Sequence, residues 1–278
     1  MTDTAPTEVE TNEEQRSGAS RFAVWARYFE ANVSRHERLD ALIPWSSRST
    51  LPGATVVALA RSLQRFELGE SGEGKNLRAK ARRLGDASYD AALTLFIAEE
   101  QKHSALFGAA LTRFGADRLT SHWSDAAFVV LRRLMGLRTE ITLFLIAETT
   151  AMGYFDALGR SADPVIRGVA RRVTTDEIEH IRFQIDQLRV GFETTPRVGR
   201  MLAALAASVV AVAAATVVAI DHGPAMRACG LGRGLFWRRA LGTFGRAARS
   251  AFLLDGDAEL IHGPSVTPAA LTNHSPAS

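Results

Sequence analysis

The chain has 278 residues, of which 46% are hydrophobic and 23% are charged, and its formal net charge is only +3. This composition is typical of a soluble globular protein with one large core, and the single cysteine, Cys229, excludes an internal disulfide. The basic residues are spread along the chain without a recognition motif, so we expect no nucleic-acid partner. The residues after Met1 lack the basic and apolar regions of a signal peptide, so we expect a cytoplasmic location.

The N-terminal part of the chain divides into a polar segment and a helix. Residues 1–20 are acidic and nearly free of large apolar side chains, which predicts a disordered tail. An amphipathic helix is expected from about Phe22 to the loop at Pro44. We expect one helical domain over residues 21–262, with a bundle at about 50–192, a helical extension at about 198–255, and a second disordered tail over residues 263–278.

Four long helices are predicted to form the bundle. Their expected limits are about Pro52 to Leu84, Ser88 to Phe114, Ser124 to Leu158, and Pro164 to Phe192. Pro52 and Pro164 suit first helical turns. Gly69, Gly72 and Gly74 weaken the first of these helices, and two explanations are open. The helix approaches another element closely or is distorted there, or it ends there in a loop.

Two short motifs carry the chemistry of the sequence. Glu100-x-x-His103 and Glu177-x-x-His180 each place a carboxylate and an imidazole one helical turn apart on one face. Each motif is directly preceded by a further acid, Glu99 in the first and Asp176 in the second. Two such turns can hold two metal ions in a four-helix bundle, if each remaining helix supplies one Glu.

Glu148 and Glu70 are the candidates for those two positions. Glu148 is the only acid in an otherwise apolar run that begins at Ile141. Glu70 precedes Glu100 by almost the same interval as Glu148 precedes Glu177, which favours two helical hairpins related by approximate twofold symmetry. Glu67 lies on the same helical stripe as Glu70 and is the alternative for the first position.

These residues resemble the ferritin-like di-iron carboxylate superfamily, which includes ribonucleotide reductase small subunits, monooxygenases and rubrerythrins. The resemblance covers residues 50 to 190. It implies an all-α fold, a ferritin-like four-helix bundle with an N-terminal helix and additional C-terminal helices. It also implies two iron ions, with manganese as the alternative, held by catalytic ligands at Glu70, Glu100, His103, Glu148, Glu177 and His180. The resemblance further implies that Asp176 orients His103 and that Glu99 orients His180.

The sequence also departs from particular branches of this superfamily. Phe107 stands where radical-storing reductase subunits have a tyrosine, so no stored tyrosyl radical is expected. Met152 stands where bacterial multicomponent monooxygenases have a threonine, which argues against that branch. Tyr154 and His222 are predicted to have structural roles.

The resemblance implies activation of dioxygen, and the apolar residues near the ligands indicate an organic substrate. These are the predicted pocket positions Phe96, Phe107, Phe144, Met152 and Phe155. We therefore expect an oxidase or monooxygenase acting on an apolar or aromatic small molecule. An iron-handling protein for ferroxidase activity, storage or peroxide scavenging is the alternative, although storage bundles are usually shorter. No Cys-x-x-Cys pair or dinucleotide fingerprint is present, so electrons would come from a separate electron-donor protein.

Residues 201–220 form twenty consecutive uncharged positions, long enough to cross a bilayer. Their alanine-rich composition instead favours a buried helix or the interface of a homodimer, with a membrane-contacting surface and a true span as alternatives. The segment from Leu235 to Leu254 is predicted to be a basic amphipathic helix, either solvated or in peripheral contact with a membrane.

Overall fold

The computed structural model describes residues 8–123 and 135–253, with side chains from Phe22 onwards. All regular secondary structure in these ranges is helical, as predicted. The helices are α1 (Glu8–Ala41), α2 (Gly53–Glu70), α3 (Lys75–Arg82), α4 (Ala87–Arg113), α5 (Leu137–Leu158), α6 (Pro164–Phe192), α7 (Arg197–Asp221), α8 (Gly223–Ala228) and α9 (Arg233–Ala248), followed by a π-helical turn (Arg249–Leu253).

Helices α4 and α6 begin at side-chain caps. The Asp86 carboxylate accepts a hydrogen bond from the Tyr89 backbone N–H at the start of α4. The Asp163 carboxylate accepts hydrogen bonds from the backbone N–H groups of Val165 and Ile166, with Pro164 in the first turn of α6. Such caps satisfy backbone donors that the helix leaves without partners, so both starts are well defined by sequence.

The first expected bundle helix is two helices, α2 and α3, separated by residues 71–74. Gly74 adopts a left-handed conformation with φ of 61°, and a Cβ atom there would overlap the Ile97 side chain. Only glycine fits this position without strain. The glycine cluster therefore marks a loop, and the expectation of one continuous helix from Pro52 to Leu84 was wrong.

Helix α1 begins at Glu8, whereas a disordered tail over residues 1–20 and a helix from about Phe22 were expected from the sequence. Glu, Gln and Arg are good helix formers, and extending a helix that is nucleated elsewhere is easier than starting one. Its packed part includes Trp25, Tyr28 and Phe29, which are at most 1% exposed. Helix α1 lies alongside α4 and α6. The expected start of the third bundle helix at Ser124 and the expected tail over residues 263–278 lie outside the described residues.

The buried apolar residues form two clusters, one at each end of the long helices. The first contains Trp25, the N-terminal half of α4 up to Ile97, and the C-terminal part of α6 from Phe183. The second contains residues of α2, the C-terminal half of α4 from Leu106, and the N-terminal part of α6 up to Val173. The buried polar residues of α4 between Ile97 and Leu106, and those of α6 between Val173 and Phe183, therefore lie in a layer between two apolar cores.

Helices α5 and α7 are long and apolar enough to cross a membrane by length and composition alone. The apolar window of α5 has a mean hydropathy of 1.2 and is 67% buried, as in the core helix of a soluble protein. That of α7 has a mean hydropathy of 2.4 but is only 22% buried. Its buried residues are Ala207, Ala211, Ala215 and Ala219, one stripe that packs on the protein. The segment is thus a helix as expected, but it is only partly buried.

Candidate metal centre

The acids and histidines of the two motifs meet in the polar layer between the apolar cores. Helix α4 supplies Glu100 and His103, and α6 supplies Glu177 and His180. One potential ligand atom from each of the four lies within 4.8 Å of the other three. Such a group of buried carboxylate and imidazole atoms is compatible with metal binding.

Both histidines turn the same nitrogen atom towards this group. His103 Nδ1 lies 3.3 Å from Glu177 Oε1 and 3.7 Å from Glu70 Oε2. His180 Nδ1 lies 2.8 Å from Glu100 Oε1 and 3.9 Å from Glu177 Oε2. Glu177 therefore lies between the two imidazoles, and Glu70 is brought to the cluster although it is the last residue of α2.

Glu148 reaches the same region from α5. Its side chain is buried, and the Gln184 amide Nε2 donates a hydrogen bond to Glu148 Oε1. Burial, together with the negative charges of Glu177 and Glu100, raises the pKa of Glu148. The four helices α2, α4, α5 and α6 thus each contribute at least one acid.

Each of the six predicted ligand residues has a buried side-chain atom without a hydrogen-bond partner among the described residues. These atoms are Glu70 Oε2, Glu100 Oε1, His103 Nδ1, Glu148 Oε2, Glu177 Oε2 and His180 Nδ1. Leaving so many buried polar atoms without partners is costly, and native proteins seldom do so. Metal ions coordinated by these oxygen and nitrogen atoms would remove that cost, and the donor set suits iron or manganese. The residues present therefore fit a di-metal cofactor.

The acid that precedes each motif holds the histidine of the other motif. His103 Nε2 lies 2.9 Å from Asp176 Oδ2, and His180 Nε2 lies 2.9 Å from Glu99 Oε2. With the proton on Nε2, each imidazole donates to its carboxylate and leaves Nδ1 as a lone-pair donor towards the cluster. A carboxylate partner of this kind fixes the ring and raises its basicity as a ligand.

The protonation states of the cluster follow from burial and crowding. Burial first, and then the charges of neighbouring carboxylates, raise the pKa of Glu70 and Glu148 well above the ordinary value. Burial would lower the pKa of His103, but the neighbouring carboxylates of Asp176 and Glu177 outweigh it and raise that pKa. Without metal, the cluster therefore retains protons, and metal binding has to displace them.

Helix α1 contacts the two acids that hold the histidines of the cluster, a role that the sequence did not predict. His36 Nε2 lies 3.2 Å from Asp176 Oδ1 and 3.6 Å from Glu99 Oε1, while the Asn32 amide donates to Glu99 Oε1 at 3.1 Å. Trp25, Tyr28, Phe29, Asn32 and His36 follow one helical stripe, so two polar residues on the apolar face of α1 were the available signal.

Arg172 is a further supporting residue that the sequence did not predict. Its Nη1 donates to Asp176 Oδ2, and its Nε donates to Asp40 Oδ1 at 2.8 Å. His36, Glu99 and Asp176 lie close enough together to hold a cation. Arg172, and Lys102 with its Nζ 3.5 Å from His36 Nδ1, already supply positive charge there. We therefore assign these residues to the support of the cluster.

Glu67, the alternative to Glu70, is engaged elsewhere. Its Oε1 accepts a hydrogen bond from Arg118 Nη1 at 2.9 Å and lies 3.3 Å from the Ser104 hydroxyl. Its carboxylate thus has partners of its own, whereas Glu70 Oε2 has none among the described residues.

The five predicted pocket residues are not brought together around one cavity. Phe96 packs its ring against His180 at 4.7 Å, and Phe107 stacks on Phe155 at 5.8 Å. These three side chains are at most 2% exposed and belong to the cores, and the partly buried Phe144 packs on Phe96. Met152 instead lines a surface groove between α5 and α9. Helical spacing places residues on one face but does not distinguish a core from a pocket.

The Ser62 hydroxyl links Tyr154 and His222 inside the second apolar core. The Ser62 hydroxyl lies 2.7 Å from the Tyr154 hydroxyl and 2.7 Å from His222 Nδ1. Burial lowers the pKa of His222 to about 3, with the charge of Arg65 contributing in the same direction. The imidazole is therefore neutral at physiological pH and acts as a hydrogen-bonding core residue.

Comparison with known proteins adds no family assignment. No protein-family model matches the chain, and searches of the curated proteins and of the solved structures found no significant match.

Proposed function

We propose that the chain is a ferritin-like di-metal carboxylate protein that uses two iron ions, or manganese, to activate dioxygen for the oxidation of an apolar or aromatic small molecule. The observation that carries the proposal is the convergence of six buried atoms, one from each of the six candidate ligands, that have no hydrogen-bond partner in the described part of the chain. A structural ion-pair network would leave few such atoms, because buried polar groups are normally paired.

Each residue of the cluster has a role in this proposal. Glu70, Glu100, Glu148 and Glu177 would supply carboxylate ligands, and His103 and His180 would supply Nδ1 ligands. Ferrous iron held by these ligands would supply electrons for the reduction of dioxygen. Asp176 and Glu99 keep the protons of the two imidazoles on Nε2, away from the metals. The apolar cores on both sides exclude water from the reacting groups.

The choice of an oxidative enzyme rests on the resemblance and on the apolar surroundings of the cluster. The electron donor would be a separate protein, since the sequence contains no redox motif of its own. Iron handling remains the competing function, and the experiment below separates the two by stoichiometry.

The test is to load the protein with ferrous iron without oxygen, add oxygen, and follow oxygen consumption and transient absorption. We expect about two irons per chain, as in di-iron bundles. We also expect a transient whose decay becomes faster with one member of a panel of apolar and aromatic compounds. Oxidation of many irons per chain, with no compound altering the decay, would favour iron handling instead.

Two buried glutamates of α5 provide a matched comparison. Glu148→Gln should abolish the oxygen reaction, because Glu148 belongs to the cluster. Glu140→Gln should retain it, because Glu140 is paired with Lys80 at 2.7 Å, away from the cluster. Equal oxygen consumption by the parent and Glu148→Gln would contradict the proposal.

A further inference from the structure

The outer side of α7 presents large aliphatic residues to the surroundings. We call this surface the α7 face, and it consists of Met201, Leu202, Leu205, Val209, Val210, Val212 and Ile220, each at least 37% exposed. The side of α7 that packs on the protein is made of alanines. This reverses the usual arrangement, in which large aliphatic residues point inwards. Seven large aliphatic side chains exposed along one helix indicate a binding surface.

The position of α7 in the chain argues against a transmembrane span. Helices α8 and α9, which follow α7, return to pack on α2 and α5. The segments on both sides of α7 therefore belong to one folded body and would lie on the same side of a bilayer. A helix that is held by one stripe and exposed on the other can lie along a membrane surface with its apolar side inserted.

The C-terminal part of the chain, which includes the α7 face, is nearly free of acidic residues. Residues 197–253 contain eight arginines, no lysine, and one acid, Asp221, which is paired with Arg65 at 2.9 Å. Their formal charge of +7 exceeds the +3 of the whole chain, so the remaining residues are net negative. The α9 arginines Arg233, Arg238 and Arg246 are exposed. An anionic partner is thus favoured on this side of the molecule.

An aromatic residue connects α9 with the α7 face. The Trp237 indole N–H donates to the hydroxyl of Thr216, an exposed residue of α7, at 3.2 Å. The indole is itself partly exposed, as is its neighbour Leu235. Tryptophan is enriched where an apolar region meets a polar headgroup region, because its ring is amphipathic.

We propose that the α7 face and the adjacent α9 arginines form a docking surface for an anionic lipid bilayer. The aliphatic side chains enter the boundary between headgroups and acyl chains, Trp237 lies at that boundary, and the arginines contact lipid phosphates. A second copy of the chain is less suited to this surface, because twofold pairing would bring two regions of charge +7 together. The proposal is independent of the metal cluster, so either can fail without the other.

The test is flotation of the purified full chain with vesicles of phosphatidylcholine alone or with phosphatidylserine at a 7:3 ratio. We expect binding to the mixed vesicles that is at least about tenfold stronger than to the neutral ones, and weaker binding in high salt. Val209→Glu should lower binding about tenfold, because it places a charge on the inserted side. Arg238→Gln should lower binding by about fivefold through the loss of one headgroup contact.

The matched control is Val57→Glu, which makes the same change at an exposed valine of α2, outside the α7 face. It should bind vesicles like the parent, and thermal unfolding followed by circular dichroism should show that all variants are folded. Equal loss of binding in Val57→Glu would overturn the proposal. A failure of the parent protein to bind vesicles would also overturn it. A dimer that is seen by light scattering and that Val209→Glu dissociates would then identify a second copy of the chain as the partner. Retention in membranes after alkaline carbonate extraction would indicate a true span and would also overturn it.

Discussion

Glu67 and Glu70 lie one turn apart on α2, yet their carboxylates have different partners. Arg118 and Ser104 bind Glu67, while Glu70 Oε2 faces His103 Nδ1 at 3.7 Å. A period of 3.6 residues places both on one side of the helix, so the sequence alone leaves the choice open. Three-dimensional contacts with residues far along the chain decide it.

The first prediction follows from this difference. Glu70→Ala should reduce the bound iron or manganese well below about two ions per chain, because it removes one carboxylate from the proposed di-metal site. Glu67→Ala should keep metal binding near that of the parent. Elemental analysis of proteins loaded with metal and then freed of excess measures the difference. Loss of metal in Glu67→Ala alone would reverse the assignment.

The second prediction concerns the support of His103. Asp176→Asn keeps the shape of the side chain but removes the charge that faces the Nε2 proton of His103. Metal affinity should fall by roughly 10–100-fold while the fold is retained. Competition with a chelator measures the affinity, and circular dichroism checks the fold. Asp156→Asn, at a half-exposed aspartate of α5, is the control and should leave affinity unchanged. Unchanged affinity in Asp176→Asn would remove this residue from the support of the site.

At the scale of the helices, the sequence was most informative where local signals were strong. The expected limits of α4 and α6 lie within one residue of the observed ones, and Pro164 stands in the first turn of α6 as expected. The glycine cluster after Glu70 was ambiguous, because glycine both permits close packing and favours loops. The contribution of α1 had only a weak signal in the sequence. His36 and Asn32 are polar residues on its apolar face, but they carry no motif and gain their roles only when α1 packs on α4 and α6.

The third prediction tests the loop between α2 and α3. Gly74→Ala should destabilise the protein by about 1–3 kcal/mol, because alanine disfavours the left-handed conformation and its Cβ would overlap Ile97. Gly72→Ala is the control, since a Cβ atom there meets nothing within 4 Å and the backbone conformation is ordinary. Chemical denaturation of both variants gives the free energies of unfolding. Equal values for the two would show that the loop is not constrained at Gly74.

At the scale of the whole molecule, the exposed apolar helix was the least predictable feature. Twenty uncharged residues fit a buried helix, an interface or a span equally well by length. Only the fold reveals that α7 turns its alanines inwards and its larger residues outwards. The sequence places the alanines and the larger residues on different sides of the helix, but it does not indicate which side faces the protein.

The fourth prediction concerns the stability of the whole molecule at acidic pH. His222 has a pKa of about 3 in the folded protein, compared with 6.5 in the unfolded chain, so unfolding takes up a proton between these values. The free energy of unfolding should therefore fall as pH falls below 6.5, by about 2 kcal/mol from this group between pH 7 and pH 5. His222→Gln should remove that part of the pH dependence. Urea unfolding at both pH values measures the slope, and identical slopes in the two proteins would contradict the assignment.

The crossed contacts between the two motifs also constrain when the centre can be assembled during synthesis. Asp176 holds His103, and Glu99 holds His180, across separations of 73 and 81 residues. Such distant contacts form only after long loops have closed. A nascent chain that ends before α6 lacks both the ligands of the second motif and the partner of His103. Under the proposed function, metal insertion therefore has to follow the synthesis of most of the chain, so the growing polypeptide would not hold a redox-active metal in an unfinished site.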